Sequence, residues 1–382
     1  MANSRDYIIE YGNVTFEDYP FTEADALTLA QIFYMPYEKV ISPSFDAQPV
    51  NFSDASIELF NMMGGKYQKL GLMIPKDASK NIMLMSSRKR FSAMKIAAVE
   101  ELLEQNPAVQ YAAGTFLLPD GTAVIVFRGT DDTLAGWKED LDIFIRKGIP
   151  SYGYADEYLK KAAGKFDGNI ILCGHSKGGN VALHAAIKCS KEIRARISGI
   201  YNFDGPGFHN SSVLNTAAYD EIKPVYHHFV PYGSMIGMML AHDYDYTACA
   251  NKMPIGLLQH DLGQWVLNGS ELERVQDTDR LSKATDILFA NICNSVDPDT
   301  CRAVDELVSK VIEGIDKITL TEFSKMPVDA VKGGIAAYKA AAPELKKQVS
   351  GALGGITKKI SDAAKSAKLP DIPSITSLLY AD

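Results

Sequence analysis

No stretch of the 382-residue chain approaches the roughly 18 consecutive apolar residues that a membrane-crossing helix needs. The N-terminus, MANSRDYIIEYG, also lacks a basic segment followed by an apolar run, the mark of a secretory leader. A soluble, cytoplasmic protein is the expectation. Cysteine is sparse: Cys173, Cys189, Cys249, Cys293 and Cys301 are scattered with no C-x-x-C pair, which argues against both a zinc ribbon and a disulfide framework. Basic residues do not dominate. The 39 Lys and Arg against 47 Asp and Glu leave a net charge of −8, unsuited to a chain whose main task is to coat nucleic acid, so no nucleic-acid partner is expected. There is no H-E-x-x-H motif, and Gly64-Gly65-Lys66-Tyr67 lacks the residues of a phosphate-binding loop. Neither a metal nor an organic cofactor is implied. The first 275 or so residues contain no internal repeat.

What is present is the composition of a globular protein, 46% apolar and 23% charged, in a chain long enough for one main domain with appended segments. Thr22 followed by Asp25 forms a capping-box signal for a helix through ALTLAQIFYM. A second helix is expected over about 91–105, SAMKIAAVEELLEQN, stopping before Pro107. The period then falls to two: VQYAAGTFLL and TAVIVF flank Pro119-Asp120-Gly121 and read as two strands joined by a tight turn. Asn169–Cys173 is a short apolar run that fits a strand buried on both faces, and it leads into a helical segment, NVALHAAIKC. Further strands are expected at Ile197–Phe203 and Pro224–Val230. Strands alternating with helices predict an α/β fold, a mostly parallel sheet covered on both sides.

The chain divides on this reading into a mostly helical N-terminal segment, 1–90, a core, 91–275, and a helical extension, 276–382. In the extension, Asp297-Pro298 starts a predicted helix through AVDELVSKVIEGI. Beyond it the eight lysines of residues 331–368 face only Glu344 and Asp362. Lys332, Lys339 and Lys346 recur every seven residues, a spacing that fits a solvated helix face or, alternatively, peripheral contact with an anionic membrane.

The most informative segment is Gly174-His175-Ser176-Lys177-Gly178, a G-x-S-x-G sequence between a buried strand and a helix. A nucleophilic serine needs a strained turn that lifts its hydroxyl above the sheet edge, and Gly174 and Gly178 give strand and helix room to pass. The helix that follows aims its N-terminus at the site, so the backbone N–H of Lys177 is placed to bind a developing oxyanion.

Phe127-Arg128-Gly129-Thr130, then Trp137, Asp140 and Leu141, then the GHSKGG elbow, together resemble the class 3 lipases of the α/β-hydrolase superfamily, over roughly residues 109–265. YPFTEADALTLAQIFYM, NFDGPGF and LLQHDLGQW more closely resemble a lipase-like bacterial family of unassigned role. The resemblance implies an α/β-hydrolase fold, with Thr130 as second oxyanion donor through its N–H and hydroxyl. It also implies a lid between Asp131 and Pro150, where Trp137, Leu134 and Ile143 would form an apolar face.

A serine hydroxyl needs an imidazole to take its proton. Of seven histidines, His260 is favoured, because it follows the last predicted strand in a loop-like stretch and the α/β-hydrolase order puts histidine last. His242 is the runner-up. His175, inside the elbow, reads as structural, as does His184 in the helix beyond it, and at most one of His227 and His228 can face a given side of their strand. Class 3 lipases usually carry the triad acid after the strand matching Pro224–Val230, but this chain reads Val230-Pro231-Tyr232-Gly233-Ser234 there. Asp204, after the preceding strand, is the preferred acid, with Asp243, Asp245 and Asp261 as alternatives. Met235, Met238 and Met239 are core or, alternatively, an apolar acyl site. The expected function is hydrolysis of a small-molecule or lipid carboxylic ester, and the alternative is an inactive hydrolase scaffold that binds lipid or a protein.

Overall fold

The computed structural model describes residues 1–286 apart from 68–73, 76, 106–107, 146–147, 244, 255, 281 and 284. The predicted helix after Asp297 and the lysine-rich segment lie outside the described residues. Eight strands form one sheet in sequential order: β1 (Val50–Asn51), β2 (Lys95–Gln105), β3 (Ala108–Leu117), β4 (Ala123–Phe127), β5 (Ile170–His175), β6 (Ile197–Phe203), β7 (Tyr226–Pro231) and β8 (Thr247–Cys249). The pairings from β1 to β4 are antiparallel, and those from β4 through β8 are parallel.

Helices α1 (Ser4–Tyr11), α2 (Glu23–Ile32), α3 (Phe52–Met62), α4 (Ala78–Ser86) and the single turn α5 (Lys89–Ser92) precede β2. Helix α6 (Leu134–Ile145) and α7 (Pro150–Lys165) lie between β4 and β5, and α8 (Lys177–Lys188) follows β5. Successive strand residues point to opposite faces, and each face has its own core. Val124, Val126, Ile171 and Cys173 pack with Leu27, Phe33, Phe52 and Ile82 of the N-terminal helices. Ile125, Phe127, Ile170 and Leu172 pack with Tyr158, Leu159, Val181 and Ala185 of α7 and α8. Both faces of the central strands are thereby dry, which accounts for their unbroken apolar sequences.

The capping box at α2 forms as expected, with the Thr22 hydroxyl accepting from the Asp25 N–H and the Asp25 carboxylate accepting from the Thr22 N–H. The helix expected over 91–105 does not form. That segment is β2, paired antiparallel with β3 from Lys95↔Leu117 to Gln105↔Ala108. Its Ala, Leu and Glu favour a helix locally, but the hairpin partner satisfies every second backbone group and buries Ile96 through Val99. A register shift between Ala97 and Glu100, with Ala98 at φ 50°, marks a β-bulge that broke the alternation a strand would otherwise have displayed.

Candidate active site

Strand β5 delivers the chain to Ser176, which stands between strand and helix at φ 56°, ψ −131°. A non-glycine residue in that left-handed region is strained and is held there only because its surroundings leave no alternative. Those surroundings are the glycines. A Cβ at Gly174 would lie 2.3 Å from the Gly178 carbonyl, and one at Gly178 would lie 2.1 Å from the Phe127 oxygen. The Ser176 N–H bonds the Phe203 carbonyl of neighbouring β6 at 2.9 Å, fixing the turn to the sheet. The serine itself is half-buried, so its hydroxyl keeps access to the surface.

Gly129 brings the end of β4 against this turn, since a Cβ there would lie 3.2 Å from the Ser176 Cβ. Thr130 is therefore set beside the elbow, with its hydroxyl donating to the Asp140 carboxylate at 2.6 Å. Lys177 is the first residue of α8, so its N–H has no carbonyl partner within the helix and sits at the positive end of the helix dipole.

His260 and Asp204 meet. The His260 Nδ1–H donates to Asp204 Oδ2 at 2.7 Å, both side chains being buried, which leaves Nε2 as the basic nitrogen. Asp204 occupies a tight turn after β6, at φ 52°. Its second oxygen accepts the Ser234 hydroxyl at 2.5 Å and the Gly237 N–H at 3.0 Å. Ser234, just after β7, thus braces the carboxylate that stands at the end of β6. The alternative acids are engaged elsewhere: Asp243 binds Tyr219 and Lys223, and Asp261 caps the turn at Gly263. Asp245 donates its backbone N–H to Asp243. His242 bonds the Leu240 carbonyl and stands against the His228 ring, while His184 stacks on Tyr152.

The sequence marks His175 as structural, but not which groups it holds. Its ring lies 4.3 Å from that of His260, centroid to centroid, and Nε2 is 2.9 Å from the His260 carbonyl. A carbonyl only accepts, so Nε2 carries the proton. Burial, reinforced by His260, holds the His175 pKa well below the ordinary imidazole value, so the ring is neutral and Nδ1 accepts from the Tyr34 hydroxyl at 2.8 Å. The elbow residue next to the serine therefore anchors the loop that carries His260.

The Lys177 side chain was also silent in the sequence. Its ammonium is buried and reaches Glu139 Oε2 at 2.7 Å, the Gln110 carbonyl at 2.7 Å and Gln110 Oε1 at 2.8 Å. A lysine leading a buried helix signals that a partner must exist, but nothing local names Glu139.

Among the described residues, no group of three or more His, Cys, Asp or Glu is arranged to hold a metal. No helix among them is long and apolar enough to cross a membrane.

A mostly parallel sheet with a serine elbow at the end of a central strand, and with a histidine and an acid on loops beyond later strands, defines a lipase-like α/β-hydrolase scaffold. The chain belongs to the Mbeg1-like family, whose model matches residues 85–309. No curated protein matches the chain. Among solved structures it is similar to the Rhizomucor miehei lipase propeptide complex, with 16% identity over 58% of this chain and 78% of that one and a TM-score of 0.34. It is also similar to M37 lipase, with 14% identity over 57% of this chain and 70% of that one, again at a TM-score of 0.34.

Proposed function

We propose that the protein is a serine hydrolase that cleaves carboxylic esters, of small-molecule or lipid type, through an acyl-enzyme. The observation that carries this reading is the 2.7 Å bond from His260 Nδ1 to the buried Asp204 carboxylate, in a molecule whose Ser176 is strained into an elbow turn. Ser176 Oγ attacks the ester carbonyl as His260 Nε2 takes its proton, and the same nitrogen protonates the departing alcohol. Water, deprotonated in turn by His260, then attacks the acyl-enzyme and releases the acid. Asp204 keeps the proton on Nδ1 and stabilises the imidazolium. The backbone N–H groups of Thr130 and Lys177 receive the oxyanion, a charge that exists only along the reaction path, so their contribution falls on kcat. No cofactor enters these steps.

A fluorophosphonate probe tests the reading directly. The folded protein is expected to be labelled at Ser176, and Ser176→Ala is expected to lose labelling and to lower hydrolysis of short p-nitrophenyl esters by on the order of 10⁶ in kcat. An unlabelled wild-type protein would instead support a scaffold that binds lipid or a protein partner.

A further inference from the structure

We propose that α6, in the segment where a lid was expected, is a fixed wall clamped to the elbow by a buried ion pair, so that the protein acts on esters dissolved as single molecules and is not switched on by a lipid–water interface. The proposal rests on the ester-hydrolase reading for its substrate class, whereas the clamp itself does not.

Glu139, fully buried on α6, gathers four donors. Its Oε2 accepts the Lys177 ammonium at 2.7 Å and the Gln110 N–H of β3 at 3.0 Å. Its Oε1 accepts the Ser151 hydroxyl at 2.6 Å and the Ser151 N–H, at the start of α7, at 3.1 Å. One carboxylate therefore joins α6 to the elbow helix, to a central strand and to the next helix. The following residue, Asp140, holds the Thr130 hydroxyl. Adjacent side chains of one helix thus grip the residues proposed as the two oxyanion donors.

Lifting α6 would strip the counter-ion from Lys177, whose remaining partners, both on Gln110, keep it buried against β3. It would also unpair the Gln110 and Ser151 N–H groups in the interior. Each loss opposes opening.

The hidden face of α6 adds a second, independent argument. An interface-activated lid conceals an apolar face and gains by laying it on lipid. Here Lys138, Glu139 and Asp142 are buried, with Lys138 paired to Asp142 at 3.7 Å, and Ile143 belongs to the core between the sheet and α7. Lifting the helix would offer lipid those charges. Gly136 seals the first turn, since a Cβ there would lie 3.0 Å from the Thr130 methyl. Trp137 is already exposed in the closed arrangement, at 38%.

Two measurements on the full chain decide the matter. The rate against p-nitrophenyl butyrate and tributyrin concentration is expected to saturate smoothly below each solubility limit. A several-fold step at the limit would overturn the proposal. Hydrogen exchange of peptides covering 134–145 is expected to be unchanged by phosphatidylcholine vesicles, and faster exchange there would overturn it. Glu139→Gln, which keeps the shape and removes the charge, is expected to speed exchange in that segment at least tenfold while α2 exchanges as before. Equal exchange would remove the clamp, and the vesicle arm decides if that variant does not fold. Should Ser176 fail to label and no ester turn over, the hydrolase reading falls, while the exchange data still decide whether α6 is a wall or a lid.

Discussion

Removal from water raises the carboxyl of half-buried Asp140 from 3.8 to about 6, against the opposing pull of Lys177 and the Thr130 hydroxyl. A carboxyl whose folded pKa is raised binds more protons folded than unfolded between those two values, so stability falls as pH rises through that window. The penalty is absent below 3.8, complete above about 6, and amounts to roughly 1–3 kcal/mol. Asp140→Asn, which still accepts the Thr130 hydroxyl, is expected to flatten the pH dependence of unfolding between pH 4 and 6 and to gain about that much stability at pH 7.5, as read by urea titration at the two ends of the window. A variant as steeply pH-dependent as the parent would contradict this account. Residues on this scale were unevenly legible. Ser176 could be picked out because its glycines are local and its context is a strand followed by a helix. Asp204 and His260 stand 56 positions apart and were ranked only by their order along the chain. Glu139, Ser234 and Tyr34 left no trace, since each matters only through a partner brought to it by the fold.

Among the elements, β4 and α8 meet backbone against backbone beside the elbow. Gly178→Ala would place a methyl 2.1 Å from a backbone oxygen of β4, and a strand carbonyl inside a sheet has nowhere to go. The variant is expected to lose about 1–3 kcal/mol of stability. Its kcat is expected to fall more than tenfold with KM nearly unchanged, because the displaced end of β4 carries Thr130. Parental kcat in a folded variant would separate Thr130 from the reaction. The element that sequence reasoning mistook, β2, fails in an instructive way. Its local propensity is helical, and what turns it into a strand is ten residues of β3 supplied from across a hairpin. Where the partner strand and the sequence period agree, as in β4 and β5, the reading held.

At the scale of the molecule, a buried pair ties α5 to α2 and to the loop between α1 and α2. The Arg90 guanidinium meets Asp25 at 2.5 and 2.9 Å, lies over the Phe16 ring and donates to the carbonyls of Val14, Thr15, Tyr19 and Pro20. Arg90→Met would leave those carbonyls without this donor and the Asp25 charge buried without its counter-ion, held only by the Tyr7 hydroxyl and by Thr22, and is expected to destabilise the protein by about 3–5 kcal/mol in urea unfolding. A shift below 1 kcal/mol would mean that the segment before β2 is held by apolar packing alone.

The chain itself determined the period of its central strands, the caps of its helices and the elbow, because these follow from backbone sterics and hydrogen bonding among residues close in sequence. Only the folded arrangement decided that Asp204 faces His260, that His175 holds the loop behind it, and that Lys177 answers Glu139. Those pairings depend on how far apart the sheet sets the ends of its strands, and on which buried groups of opposite charge the fold brings within reach of one another.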